Sequence, residues 1–311
     1  VRNADDVIDT LSYVSRFAGQ KLLIKLGGAA LQDSTLVESI CEDFARMQSV
    51  GVSLVLVHGG GPSINQELTT HGIHWEFIDG QRVTTPEMMD IVEMVLRGSV
   101  NSRLVRTLNR AGLRAVGVSG ADAQMLQCKP SDPRLGQVGT IDKVDVSYVQ
   151  SLLNTQNNAM GNSQSGYVPV IAPTGCGKEG QAFNLNADWA ACHIALALGI
   201  KKVLFLTDQD GILDAQGRLI SELDAAELEG LIEAGVVKGG MLAKARTMLY
   251  ALRHGVKDIH VLNARRPHGL IEELFTSGGV GTVCRLRSLT AKKSDSSESV
   301  EPAKEQQHAQ L

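Results

Sequence analysis

Short apolar runs recur along the chain, and most of them close on glycine or polar residues. Residues 21–26, 54–57, 116–119, 167–171, 203–207, 257–262 and 283–286 have this form and predict buried β-strands. Between them lie stretches with apolar residues three and four positions apart, which predict helices. Val7, Ile8, Leu11, Val14 and Phe17 form one such stripe ahead of the first strand, and Ile64 and Leu68 form another before Gly72. Thr35 with Glu38 predicts a capping box for a helix ending near Gly51, and Asp224 with Glu227 predicts a second, ending near Gly235. Thr85-Pro86-Glu87 combines a cap, a first-turn proline and a first-turn acid, and opens a helix that runs to about Ala111 before Gly112. Further helices are predicted from about Trp189 to Leu198, onward from Lys238-Gly239-Gly240-Met241, and over 269–275. Residues 124–146, with Pro130, Asp132-Pro133 and Gly136, have hairpin character. Residues 154–166 are polar and read as a mobile loop, and from Ser288 onward the near absence of apolar residues predicts disorder. Strands alternating with helices imply an α/β fold on a mostly parallel sheet, whose ligands gather beyond the carboxyl ends of the strands.

The most informative run is Leu54-Val55-Leu56-Val57-His58-Gly59-Gly60-Gly61-Pro62. A buried strand turns sharply through three glycines and enters a helix at its amino end, where bare N–H groups and the helix dipole favour an anion. No Gly-Lys-Ser/Thr follows, so this is not a Walker loop, and Ile64 stands where the last glycine of GxGxxG would be. Gly175-Cys176-Gly177-Lys178-Glu179-Gly180 does fit GxGxxG, but no helix opens directly from it, which removes the dinucleotide reading. Lys25 lies inside an apolar strand, just before Gly27-Gly28, where a charge is costly unless an anion meets it. Arg82 taken alone reads as a surface charge; its planar fork also suits a carboxylate. Asn184, Asn186 and Asp188 alternate ahead of a helix whose cap needs only one of them. Lys25, Gly60, Gly120 and Asp208 all fall at the carboxyl ends of predicted strands.

Composition narrows the setting without naming a chemistry. A chain of 311 residues, 43% hydrophobic and 21% charged, can bury a large core. A net charge of −4 gives no reason to expect nucleic acid or an acidic membrane surface. The five cysteines are widely spaced with no CxxC pair, which argues against a zinc ribbon or disulfide scaffold and fits a reducing compartment. No signal peptide or membrane-spanning run stands out, and a cytoplasmic protein is expected.

Six segments in order resemble the amino-acid kinase superfamily and, within it, the N-acetyl-L-glutamate kinases. They are Lys25-Leu26-Gly27-Gly28, His58-Gly59-Gly60-Gly61-Pro62, Gly80-Gln81-Arg82-Val83-Thr84, Asn184-Leu185-Asn186-Ala187-Asp188, Thr207-Asp208-Gln209-Asp210-Gly211-Ile212-Leu213 and Gly239-Gly240-Met241-Leu242-Ala243-Lys244. The resemblance implies a three-layer αβα sandwich with two lobes in one domain. Residues 1–19 would be an oligomerisation helix, 20–182 a lobe for the acyl amino acid, 183–287 a nucleotide lobe, and 288–311 a disordered tail. It implies transfer of the γ-phosphoryl group of MgATP to the side-chain carboxylate of N-acetyl-L-glutamate, in the acetylated route to arginine. Magnesium would arrive on the nucleotide, with no metal held by the protein alone.

By the same resemblance, Lys25 and Lys244 meet the transferring phosphoryl group, Asp188 holds both lysines, and Gly28 and Gly60 donate N–H groups to it. Gly59, Gly60, Gly61, Arg82 and Asn184 would bind the acyl amino acid, with Arg82 on its α-carboxylate. Gly27, Asp208, Gly239, Gly240, Met241 and Lys244 would line the nucleotide. Arginine-inhibited relatives carry an N-terminal helix that interlaces dimers into a hexamer, a trimer of dimers. Tyr13, Arg16, Lys202, His260, Glu273 and Gly279 match positions around their arginine site. Two alternatives stay open: an enzyme of the same fold acting on another carboxylate or on carbamate, and a catalytically silent arginine sensor.

Overall fold

The computed structural model describes residues 4–155, 166–276 and 278–286. Most of the polar loop expected at 154–166, and the tail expected to be disordered from Ser288, lie outside the described residues. The chain enters as α1 (Ala4–Phe17), β1 (Lys21–Leu26), α2 (Ser34–Ser49), β2 (Ser53–His58) and α3 (Gly61–Thr70). A small hairpin, β3 (Phe77–Ile78) and β4 (Gln81–Arg82), precedes α4 (Pro86–Glu93) and α5 (Asn101–Arg110), which are joined by a π-helical stretch, Met94–Val100. Then come β5 (Ala115–Ser119), β6 (Leu126–Pro130), β7 (Gly139–Val144), α6 (Ser147–Asn154), β8 (Val168–Ala172), β9 (Thr174–Cys176) and β10 (Ala182–Asn184). The last part is α7 (Ala187–Ala197), β11 (Lys202–Thr207), β12 (Glu222–Asp224), α8 (Ala225–Glu233), α9 (Gly239–Arg253), β13 (Asp258–Asn263), α10 (Gly269–Phe275) and β14 (Thr282–Arg285).

Eight strands form one sheet in the order β12-β14-β13-β11-β1-β2-β8-β5. Among the described residues only β13 and β14 pair antiparallel within it, so the expected mostly parallel sheet is present. The period of two along the strands sorts side chains between two apolar layers. Leu22, Ile24 and Leu26 of β1 pack with Leu54 and Leu56 against α2, α3, α4, α5 and α10. Leu23, Val55, Val57, Val203 and Phe205 face the other way, into a second cluster with α6, α7, α8 and α9. The result is the three-layer αβα sandwich. The predicted hairpin at 124–146 is β6 and β7, part of a four-stranded sheet with β9 and β10 beside the carboxyl ends. The GxGxxG match at 175–180 is the turn of the β9–β10 hairpin, which is why no helix opens from it.

Several local expectations need correction. Thr35 and Glu38 do not form a capping box: Asp33 is the N-cap of α2, accepting from Thr35 N at 3.0 Å and Leu36 N at 3.1 Å, while Glu38 pairs with Arg110. The cap lies two residues earlier than the sequence pattern suggests, because Asp33 and Thr35 are both good caps and only the backbone turn decides. Helix α6 and the β3–β4 hairpin carry patterns too short to stand out, and the helix over 86–110 has the π-helical stretch in its middle. The stripe on α1 divides. Phe17 packs on Phe275 of α10 with ring centroids 5.1 Å apart, whereas Ile8 and Leu11 are each 59% exposed. The Asp224–Glu227 capping box is present as expected.

The reassigned cap is testable. Asp33→Ala should cost roughly 1 kcal/mol of unfolding free energy in a denaturant titration, while Thr35→Ala should change it by no more than a few tenths. The reverse ranking would restore Thr35 as the cap.

Candidate active site

The carboxyl ends of β1, β2 and β11 meet in two glycine turns. Gly27 N donates to Leu206 O and Gly59 N to Leu26 O, each at 2.8 Å, so the parallel ladder continues one residue beyond the strands. The chains then press together: a Cβ on Gly28 would lie 3.0 Å from Gly60 N, and one on Gly59 would lie 3.0 Å from Gly28 N. Any side chain there would prise the turns apart. Among the described residues the Gly28 and Gly60 N–H groups donate to no protein acceptor. They lie on the wall of a cavity of about 300 Å³ that also includes Lys25, Gly61, Arg82 and Asn184. That volume sits at the lower end of small-ligand cavities, roughly 300–1,000 Å³.

Behind this cavity Asp188, in the first turn of α7, stands between two ammonium groups. Lys25 Nζ lies 2.8 Å from Oδ1, and Lys244 Nζ of α9 donates to Oδ2 at 2.8 Å. The side chains are 12%, 14% and 8% exposed for Lys25, Asp188 and Lys244, so this is a buried group of two cations on one anion. Burial alone would raise the Asp188 pKa, but the charges of Lys25 and Lys244 outweigh it and hold the carboxyl well below its usual range. Burial lowers the Lys244 pKa against the opposing pull of Asp188. Of the three alternating polar residues, Asn186 is the cap of α7, accepting from Asp188 N at 2.9 Å and Trp189 N at 3.2 Å. Asn184 Nδ2 donates to Thr84 Oγ1 at 3.1 Å, which ties β10 to the segment after β4.

Arg82 is not the surface charge it suggests when taken alone; it is 5% exposed. Its Nη2 donates to Asn65 Oδ1 and, at 3.4 Å, to Gly61 O, while Nη1 is buried with no protein partner. The guanidinium lies 4.8 Å from the Phe77 ring and 5.4 Å from the Trp75 ring. Burial brings its pKa down to about 10, still charged at neutrality. Asn65, Trp75 and Phe77 were missed in the sequence. Their signal is the alternation Trp75-Glu76-Phe77 beside Arg82, in a chain with only two tryptophans and six phenylalanines.

The residues expected on a nucleotide form a looser group. Asp208 is exposed at the end of β11, and Gly239 and Gly240 are exposed at the start of α9, whose Lys238 cap makes no side-chain hydrogen bond. Met241 packs against the core and Gly27 lies against Leu206 O. None of these lines the 300 Å³ cavity; the link between the two groups is Lys244 through Asp188 to Lys25.

A larger cavity, about 1,090 Å³, lies elsewhere, at the amino ends of β1, β11 and β13. It brings together Arg16, Lys202, His260, Glu273 and Gly279, while the Tyr13 side chain lies outside the described residues. His260 Nδ1 donates to Glu273 Oε1 at 2.5 Å, and Lys202 donates to His260 Nε2 at 3.0 Å and to Asp258 at 2.7 Å. Glu273 Oε2 accepts from Val280 N at 2.7 Å and Gly281 N at 3.1 Å. A Cβ on Gly279 would sit 2.9 Å from Glu273 Oε2, so a side chain there would have to displace the Glu273 carboxylate.

A model of the amino acid kinase family matches residues 20–263, most of the chain and all of the carboxyl-end residues above. The chain belongs to the amino acid kinase family. Its curated relatives include the acetylglutamate kinase of Pelobacter propionicus, 40% identical over 91% of this chain and 97% of that protein. The acetylglutamate kinase of a Synechococcus species is 44% identical over 88% of this chain and 91% of its own. Among solved structures, N-acetylglutamate synthase from Neisseria gonorrhoeae, complexed with coenzyme A and N-acetyl-glutamate, aligns with a TM-score of 0.81 at 24% identity. That alignment covers 93% of this chain and 64% of the synthase chain. Carbamate kinase from Giardia lamblia aligns at 0.61 and 15% identity, over 87% and 99%. At these identities the two structures speak to the fold alone. As an amino acid kinase with such relatives, the chain is a phosphotransferase.

Asp188 carries the electrostatics of this site. Asp188→Asn leaves two buried ammonium groups on one neutral amide and should lower the unfolding free energy by about 3–5 kcal/mol. A carboxyl with a depressed folded pKa contributes stability above its unfolded value of about 3.9 and loses it as pH falls through the folded value. The variant's stability should therefore fall less steeply below pH 4 than the wild type's. Parallel acid limbs in denaturant titrations would contradict the assignment.

Proposed function

We propose that the chain transfers the γ-phosphoryl group of MgATP to the side-chain carboxylate of N-acetyl-L-glutamate, giving N-acetyl-L-glutamyl 5-phosphate for arginine biosynthesis. The observation that carries this reading is the pairing of Lys25 and Lys244 on Asp188 beside two unpartnered glycine N–H groups. A glutamate carboxylate is ionised at neutral pH and needs no general base. The work is to bring two anions together and to cancel the charge that spreads over the transferring group. Lys25, on the cavity wall, and Lys244, behind it, supply that charge from opposite sides of Asp188, and Gly28 and Gly60 supply directed donors. The charged guanidinium of Arg82, on the cavity wall, suits the α-carboxylate of the acid, and Asn184 its amide end. The open first turn of α9 and the exposed Asp208 suit the nucleotide, which carries its own magnesium.

A coupled ADP-release assay with N-acetylglutamate, glutamate, aspartate and carbamate tests the substrate. Turnover with N-acetylglutamate well above the others is expected; preference for carbamate or a free amino acid would overturn the acid assignment. Within that assay, Lys25→Ala and Lys244→Ala should each lower kcat by about two to three decades, as loss of one transition-state donor does. Arg82→Ala should raise KM for the acid strongly and KM for ATP little, and equal effects on both would move Arg82 out of the acid site.

The cavity at the amino ends suits L-arginine as an inhibitor. Glu273 and Asp258 offer carboxylates to a guanidinium and an α-amino group, while Lys202 and the lysines at the strand starts offer charge to a carboxylate. The exposed Ile8 and Leu11 of α1 support an interlaced homo-hexamer, a trimer of dimers, since α1 leaves half its stripe uncovered. Arginine must bind the inactive arrangement more tightly to shift it. Deleting residues 1–18 should leave a smaller, active, arginine-insensitive oligomer by light scattering and activity titration. A full-length dimer untouched by arginine would overturn this regulation.

A further inference from the structure

His58 is the last residue of β2, at the entry to the glycine turn, fully buried, and no step above uses it. Its two ring nitrogens are both engaged. Nδ1 lies 2.9 Å from Gly59 O, and Nε2 lies 3.1 Å from Asn101 Nδ2. A carbonyl oxygen can only accept, so Nδ1 carries the proton and Nε2 carries the lone pair. Asn101 Nδ2 spends its other hydrogen on Val170 O of β8, at 2.8 Å, which fixes the orientation of the carboxamide. Burial pushes the ring's pKa down to about 4, with the Gly59 bond opposing and the nearby Lys25 charge adding, so the ring is neutral at pH 7.

The consequence lies in one peptide plane. The carbonyl of Gly59 and the N–H of Gly60 belong to the same trans peptide and point in opposite directions. A ring that holds the carbonyl toward the interior therefore turns the Gly60 N–H away from it, toward Gly28 and the cavity. We propose that His58 and Asn101 form a buried clamp whose function is to aim the Gly60 N–H at the transferring phosphoryl group. This rests on the phosphotransfer reading above. His58 and Asn101 are positioning residues and touch no substrate.

The π-helical stretch is what lets one helix grip the turn twice. Asn101 N donates to Leu96 O, five residues back, in the middle of the helix that runs over 86–110. In a regular α-helix, residues five apart differ by about 140° around the axis; a π-turn brings them toward one face. Leu96 then packs on Gly60 directly, where a Cβ would meet Leu96 Cδ2 at 2.5 Å, and Asn101 reaches the same turn through His58. Gly117 on β5 makes the space, since a side chain there would overlap the Asn101 carboxamide. The cut-out, the register shift and the engaged ring together describe one device.

Kinetics of His58→Leu, His58→Asn and Asn101→Ala test it. In His58→Asn the side-chain Nδ2 can stand near the place of Nδ1 and donate to Gly59 O; in His58→Leu nothing can. All are measured against whichever acid the wild-type enzyme phosphorylates, so a wrong acid assignment leaves the clamp testable. His58→Leu should lose about 100-fold in kcat with both KM values within threefold, and His58→Asn should recover at least tenfold of that loss. Asn101→Ala should lie between them. His58→Leu with wild-type kcat and a lowered melting temperature would reduce His58 to a core residue and overturn the proposal. If His58→Leu does not fold, the His58→Asn and Asn101→Ala kinetics carry the same test. Independently of activity, long-range ¹⁵N–¹H spectra of histidine-labelled wild-type protein should show His58 protonated on Nδ1 alone at pH 7. A proton on Nε2 would contradict the clamp.

Discussion

Two ammonium groups that would otherwise repel each other share one carboxylate at the centre of this molecule. Lys25 comes from a strand, Lys244 from the second turn of α9, and Asp188 from the first turn of α7. Each would be costly to bury alone, and together they still leave an excess positive charge. That excess is what an incoming anion meets. The fold satisfies the demand by ending β1, β2 and β11 at one edge of the sheet and starting α7 and α9 nearby. Asn186 fixes the direction in which α7 sets out, and with it the place of Asp188. The glycine turns follow from the same constraint, because donors can supplement the lysines only where backbones approach closely.

The sheet also separates chemistry from the larger cavity. Strand β11 carries Lys202 at its amino end and Thr207-Asp208 at the other, six residues or about 20 Å apart. A ligand among Lys202, His260 and Glu273 cannot touch the lysine pair and glycine turns directly. Its influence has to pass through displacement of whole elements, and α1 and α10, joined by Phe17 and Phe275, are the elements that flank that cavity. Arg82 illustrates a different economy at the carboxyl ends of the strands. It is held by Asn65 and two aromatic rings, so the guanidinium keeps its charge while buried in the cavity wall.

Much of this was legible in the chain. The strands β1, β2, β5, β8, β11 and β13 announce themselves as apolar runs closed by glycine or polar residues, and the alternation with helices gives the parallel sheet. Lys25 was recognisable as needing an anion, because a lysine inside such a run has few alternatives. That the anion is Asp188, some 160 positions later, is a long-range contact that no local pattern encodes. The Asp33 cap was displaced onto Thr35 because local propensity does not separate two good caps. Arg82 looked exposed because two-residue strands have no periodicity, and its aromatic neighbours act only once the hairpin folds back. The π-helical stretch is invisible for a similar reason: it is a shift in hydrogen-bond register that Leu96, Gly60 and Asn101 impose jointly.

The role proposed for this lysine pair is to stabilise phosphoryl transfer to a carboxylate. Its most direct measurement is chemical trapping of the product. An acyl phosphate formed from N-acetylglutamate and MgATP reacts with hydroxylamine to give a hydroxamate, in step with ADP release. One hydroxamate per ADP is expected with the wild-type enzyme, and both products should form about two to three decades more slowly with Lys25→Met or Lys244→Met. ADP released without hydroxamate, or hydroxamate formed at the wild-type rate by either variant, would contradict it.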